Sequence, residues 1–278
     1  MSMVVTSPDF RWGLKFFKYL EIAKVNYFTN TTYLANFLSK SIMVVLRIWI
    51  FTQLYRVTYA TANENEIGGL TVPMVIWGLM IAQSLNTATR PQLSKLIDEE
   101  VKSGVIAYSI NRPYSYILFH YFGSMGRFVS NLISNLTLGF LAAFILVGPI
   151  SLSWNGLLLG SLLLFFGYTL DFLIDLMIGL ISFWVEDISA FNWIYSKSQL
   201  IFGGLILPLS LFPDYLRNIA ELLPFSQLFY SGSRLIVNFD FQLFQKYLLI
   251  QMAWLVFFWL LVGYVFSKGI KHVSVNGG

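Results

Sequence analysis

The sequence predicts an all-α, polytopic membrane protein of six transmembrane helices, with an N-terminal interfacial amphipathic helix and a re-entrant helical segment before the last span. Three observations predict it. From Phe128 to Leu170 there are 43 residues without a charge, and from Tyr247 to Ser267 another 21. A hydrocarbon core of ~30 Å takes ~20 apolar helical residues to cross. The first run therefore holds two crossings, with Gly148-Pro149-Ile150-Ser151 as the break between them. Charged residues make up only 12% of the chain, about half the roughly 25% of a soluble domain. Phe (26), Tyr (15) and Trp (8) are abundant, as expected of rings at the headgroup level.

The same composition excludes several function classes. There is no cysteine, which removes disulfides, thiol catalysis and Cys-ligated metals. A net charge of +4 reads as loop charge on a membrane protein, and no nucleic-acid partner is expected. The first ten residues lack an apolar core behind a basic start, so no cleavable signal peptide is expected. Asn30 and Asn135 head N-x-S/T sequons, which we read as chance because of where they fall.

Residues 11–28 interleave Lys15, Lys18 and Lys24 with Phe16, Phe17, Leu20 and Ile22. This basic amphipathic stretch suits a helix lying in the headgroup plane, or one packed on the protein's own cytoplasmic face. Six spans follow, at about residues 35–57, 67–89, 121–147, 157–184, 194–212 and 247–267. The first contains Lys40 and Arg47, and the fifth is interrupted by Gly203-Gly204 and Pro208. With the N-terminus inside, cytoplasmic segments hold eleven Lys/Arg and external ones four. The excess of basic residues places both termini in the cytoplasm. No internal repeat or linker divides the chain, so residues 1–278 form one membrane domain: a cytoplasmic N-terminal part (1–34), a cytoplasmic loop (90–118) and an external or re-entrant segment (210–246).

The cytoplasmic loop predicts a short helix. Pro91 suits a helix start and Gly104 a C′ position. Leu93, Leu96, Ile97 and Val101 share one face, while Asp98, Glu99 and Glu100 extend from the others. Such a helix can insert into a groove of a soluble partner or pack on its own bundle, and spacing alone leaves both open. The segment Phe212–Val237 is apolar though external. It reads either as a re-entrant pair of half-helices closing the pathway, with Pro208, Phe212, Pro213, Pro224 and Phe225 as the external gate, or as a surface-lying amphipathic helix.

Three charges lie deep inside spans. Asp171 and Asp175 are spaced i and i+4, hence on one helix face, at a depth matching that of Arg47. An isolated charge there costs at least ~3 kcal/mol. Either Arg47 pairs with a carboxylate, or one carboxylate attracts a cationic substrate or carries a proton. His120 and His272 have no third ligand nearby in sequence, and no metal site is expected.

Two strings carry a resemblance. Asp98-Glu-Glu-Val-Lys-Ser-Gly-Val-Ile-Ala-Tyr-Ser-Ile-Asn-Arg-Pro-Tyr-Ser-Tyr116 and Leu207-Pro-Leu-Ser-Leu-Phe-Pro-Asp-Tyr-Leu-Arg-Asn-Ile-Ala-Glu-Leu-Leu-Pro-Phe225 are similar to the cytoplasmic loop and the post-fifth-span segment of six-span ABC transporter permeases of the type-2 exporter class. The resemblance implies a coupling helix that docks on an ATPase subunit, the docking residues being Leu96, Ile97, Asp98, Glu99, Glu100, Val101, Lys102, Ser103, Gly104, Val105 and Ile106. It also implies a second permease subunit (identical or homologous), separate ABC ATPase subunits, contact with membrane lipid, an exported substrate that the sequence does not identify, and a bacterial-type plasma membrane. The chain has no G-x-x-x-x-G-K-[S/T] loop, so it is not expected to be an enzyme or to carry a cofactor; ATP and Mg belong to a partner subunit. A secondary transporter using Asp171 and Asp175 for proton or ion coupling is the alternative, weakened by the absence of internal repeats. An intramembrane enzyme lacks a nucleophile–base pair.

Overall fold

The chain enters through α1 (Pro8–Thr32), which lies along α6 (Tyr116–Val147). The structure is a computed structural model; it describes residues 8–32, 34–89 and 93–276, with side chains over 17–32, 42–89 and 93–271. Arg90 and Pro91, expected at the start of the loop helix, lie outside the described residues, as do the side chains of Lys15, Phe16, Lys40 and His272. The two helices pass closely because Gly126 has no side chain: a Cβ there would meet the backbone of Ala23. Asn30 reinforces the crossing by donating to Ser130 Oγ (2.6 Å) and Asn131 Oδ1 (2.8 Å). Gly126→Val should detach α1 from α6, and limited proteolysis of the purified protein should then cleave α1 while leaving the remainder intact.

α2 (Leu34–Ala62) and α3 (Val72–Thr89) flank a hairpin that the periodicity did not predict, β1 (Glu66–Ile67) antiparallel to β2 (Leu70–Thr71). Its turn, Gly68-Gly69, has φ of 61° and 71°, the left-handed pair that a two-residue turn requires. Beyond α3 come α4 (Leu93–Lys102) and α5 (Val105–Ile110). They are separated by Gly104 at φ 74°, which stops α4 as expected.

The bundle is completed by α6, by α7 (Trp154–Ile181) and by three helices on the far side of a broken segment: α9 (Asp214–Leu222), α10 (Tyr230–Val237) and α11 (Phe241–Asn276). α6, α7 and α11 are long and apolar enough to cross a membrane, and only these three qualify among the described residues. α11 is apolar on its outer face as well, with Leu249, Phe257, Trp259 and Leu260 exposed, the pattern of a helix facing lipid. The other expected spans coincide with α2 (29 residues), α3 (18 residues) and α8 (Ser189–Phe202, 14 residues). At 1.5 Å per residue, α8 reaches only ~21 Å. The fifth expected span, 194–212, is thus a half-helix followed by unwound chain.

That unwound chain is satisfied by side chains. Gln83 Nε2 donates to the Leu205 carbonyl (2.5 Å) and Tyr55 Oη to the Ile206 carbonyl (2.7 Å). Buried non-helical backbone is tolerated only when its polar groups find such partners. α10 lies buried against α3 and α7. It can approach α7 because Gly160 faces it and Gly167 leaves room for the turn ahead of it: a Cβ on Gly160 would come 2.5 Å from Ile236 Cγ1, and one on Gly167 2.9 Å from the Gln227 carbonyl oxygen. Small residues at such spacing let helix backbones touch.

Candidate functional site: the α4–α7–α8 junction

α4 is held by its apolar stripe. Leu93 and Ile97 are buried among Phe172, Leu176 and Leu180 of α7, with Val101 at the edge. Ile97 sits against Gly179, whose lack of a side chain leaves it room. The stripe therefore seats α4 on its own bundle, the second of the two readings that the spacing allowed. Of the residues expected to dock on a partner, Ile97 and Ile106 are buried. Leu96, Glu99, Lys102, Ser103, Gly104 and Val105 are exposed, and Asp98, Glu100 and Val101 are intermediate. Leu96 leaves the buried face because it sits at the margin of the stripe. The acidic tip is also smaller than its sequence suggests. Asp98 pairs with Lys102 (2.7 Å), and Glu100 accepts from Tyr116 Oη (2.8 Å) at the start of α6. Beside α4, a groove of about 460 Å³ runs to the first turns of α8, lined by Lys95, Asp98, Glu99, Ile188, Asn192, Trp193 and Lys197.

Beneath the groove lie the two buried carboxylates. Asp175 Oδ2 accepts from the backbone N–H of Leu93 (3.2 Å) and of Ser94 (3.4 Å). These are the first two residues of α4, whose N–H groups have no partner within their own helix. Asp175 therefore caps α4 from another helix, at the end where the macrodipole favours a negative charge. Asp171 Oδ1 accepts from Tyr195 Oη (2.5 Å) and Gln199 Nε2 (2.7 Å), both on α8. Ser94 Oγ donates to Asn192 Oδ1 (3.0 Å), joining α4 to α8 directly.

Arg47 donates to Gln83 Oε1 (2.7 Å) and Thr87 Oγ1 (3.4 Å) on α3. Of the four ion pairs among the described residues, none joins Arg47 to Asp171 or Asp175. Matched depth along separate helices does not fix which faces meet: Arg47 reaches side chains of α3, and the carboxylates accept from α4 and α8. Arg127, which donates to Asn26 Oδ1 (2.8 Å) on α1, lines a cavity of about 60 Å³ together with Asp171, Asp175, Thr87 and Ser124. That volume suits a water or two and is well below the ~300–1,000 Å³ of small-molecule sites.

The expected gate residues occupy distinct positions. Pro208 and Pro224 are buried and Pro213 is exposed just ahead of α9. Phe212 packs with the cluster around Leu209 and Tyr247. Phe225 meets Tyr195 and Phe202 of α8 at ring distances of 6.1 and 6.5 Å. The segment is stapled to α11. Gln251 Nε2 donates to the carbonyls of Leu163 (2.9 Å) and Gln227 (2.8 Å), and Lys246 pairs with the buried Glu221 (2.6 Å).

Reading only charges as informative missed Gln83, Gln199, Gln227 and Gln251. Their signal was available, since an amide within a membrane-length apolar stretch demands partners as a carboxylate does. Both sequon asparagines are likewise occupied between helices, Asn135 donating to the Ser84 carbonyl (3.1 Å).

The described residues thus form a multi-helix bundle in which α6, α7 and α11 are long and apolar enough to cross a membrane. The sequence model of a family described as ABC-2 family transporter protein matches residues 42–277. The chain belongs to that family: it is an ABC-2 type permease, a multi-pass transmembrane transport component of an ABC transporter. No curated protein matches the chain.

Proposed function

We propose that this chain is the membrane-spanning subunit of an ATP-binding cassette exporter, working with a second permease subunit and driven by separate ATPase subunits that bind Mg-ATP. The observation that carries the reading is the mounting of α4. Its apolar stripe and its N-terminus are both fixed to α7, while Leu96 is exposed and Lys95 and Glu99 line the groove beside α8. A short helix rigidly seated on a span, with a free charged and apolar edge, can convert a push from a partner into movement of that span. Six spans in a bacterial-type plasma membrane, with α4 and both termini in the cytoplasm, fit this role and the basic-residue asymmetry of the loops. The unwound chain after α8 and the short helices α9 and α10 then close the external end, with Phe225 packed on α8.

The reading is tested by purifying the complex with its co-expressed ATPase subunit. Leu96→Arg with Glu99→Lys should reduce co-purification or basal ATPase modulation at least about tenfold, as loss of a central interface anchor does, while the permease alone melts like wild type. Glu100 is left untouched because its bond to Tyr116 makes it structural. Unchanged assembly and unchanged modulation in a well-folded double variant would overturn the assignment.

A further inference from the structure

We propose that Asp171 and Asp175 are positioning residues that lock α4 and α8 into a single docking unit on α7, acting as hydrogen-bond acceptors and not as ligands for an ion or a charged substrate. Each carboxylate is at least nine-tenths buried, and each is engaged by a different helix. Asp175 takes the two leading N–H groups of α4. Asp171 takes the hydroxyl of Tyr195 and the amide of Gln199, one turn apart on α8. Being i and i+4, the two acids lie on one face of α7, so a single helix face captures both neighbours. The bond from Ser94 to Asn192 closes the triangle. The groove between α4 and α8 is therefore walled by two helices with a common base. Displacement of either wall is passed to α7, and α8 leads directly into the unwound chain at Gly203-Gly204 and to Phe225. The adjoining cavity is too small for a transported molecule, and Arg127 on its wall disfavours a bound cation.

A neutral acceptor of the same shape separates the two roles. Asparagine can still accept every one of these bonds through its Oδ1, whereas leucine can accept none. The geometry itself is read on the permease alone, with no ATPase present. The chain contains no cysteine, so Ser94→Cys with Asn192→Cys gives a clean pair for oxidant-induced crosslinking across the triangle. Crosslinking should be as fast with Asp171→Asn or Asp175→Asn as in the parent pair. With Asp171→Leu or Asp175→Leu it should slow at least about tenfold, since leucine leaves the buried donors of α4 or α8 without an acceptor.

The consequence for coupling rests on the docking role proposed above for α4. In the assembled complex, basal ATP hydrolysis should stay within about twofold of wild type in the Asn variants, and should fall to the rate of the isolated ATPase subunit in the Leu variants. Equal crosslinking in all variants would overturn the lock itself, whatever α4 docks on. Asn variants that fail like the Leu variants would overturn the acceptor role and assign the negative charge to an ion or substrate. A lock that passes the crosslinking test while the Leu96/Glu99 variants assemble normally would locate the fault in the docking role alone.

Discussion

Replacing Gly167 by valine should cost this protein its folded bundle. A side chain at that position meets the backbone of Leu228 and the Gln227 carbonyl oxygen, and these are main-chain atoms that cannot rotate away. Relief requires lifting the turn at 224–227, and with it α10, off α7. Overpacking of a tight core costs ~1–3 kcal/mol where side chains can adjust, and here the obstacle is backbone, so the cost should exceed that range. Size-exclusion chromatography in detergent should show aggregate in place of a symmetric peak. Gly263 supplies the control, because nothing lies within 4 Å of a Cβ built there; Gly263→Val should elute like wild type.

Gln251→Leu should be the most damaging single loss of a hydrogen-bonding side chain. The amide is fully buried and donates to two carbonyls at once, Leu163 on α7 and Gln227 in the turn ahead of α10. Leucine keeps the volume and removes both bonds. Hydrogen bonds between helices in a membrane contribute ~0.6 kcal/mol on average and up to ~1.7, so two should be worth ~1–3 kcal/mol. The melting temperature in detergent should fall by several degrees, and proteolysis should first cut between residues 205 and 230. A melt unchanged from wild type would show that the staple is not what holds the segment.

The fold was legible in the sequence where one rule governed. Charge-free runs from 128 to 170 and from 247 to 267 became α6, α7 and α11, because a membrane-length apolar helix has few alternatives. Gly104 stopped α4 because a left-handed residue there ends a helix at little cost. Legibility failed where the outcome depended on which faces met. The i, i+4 spacing of Asp171 and Asp175 placed them together, yet their partners are amides and hydroxyls on α4 and α8, distant in sequence and not charged. Arg47 turned to Gln83 for the same reason. The stripe on α4 was visible, but only its neighbour could decide its use; Gly179 on α7 leaves space for Ile97, and the stripe went inward. The hairpin at Gly68-Gly69 was missed because two-residue strands carry no periodicity, although the paired glycines are themselves a turn signal.

The docking role proposed for α4 requires that its free edge meet the ATPase. Single cysteines at Glu99→Cys and Trp154→Cys test it most directly, each carrying a short photocrosslinker in the assembled complex. Both native side chains are exposed, and Trp154 opens α7 at the end ~40 Å from its α4-bearing terminus, by helical rise over 28 residues. Position 99 should crosslink to the ATPase subunit and position 154 should not. Crosslinking from position 154 with none from position 99 would place the ATPase at the other end of the bundle and contradict the account.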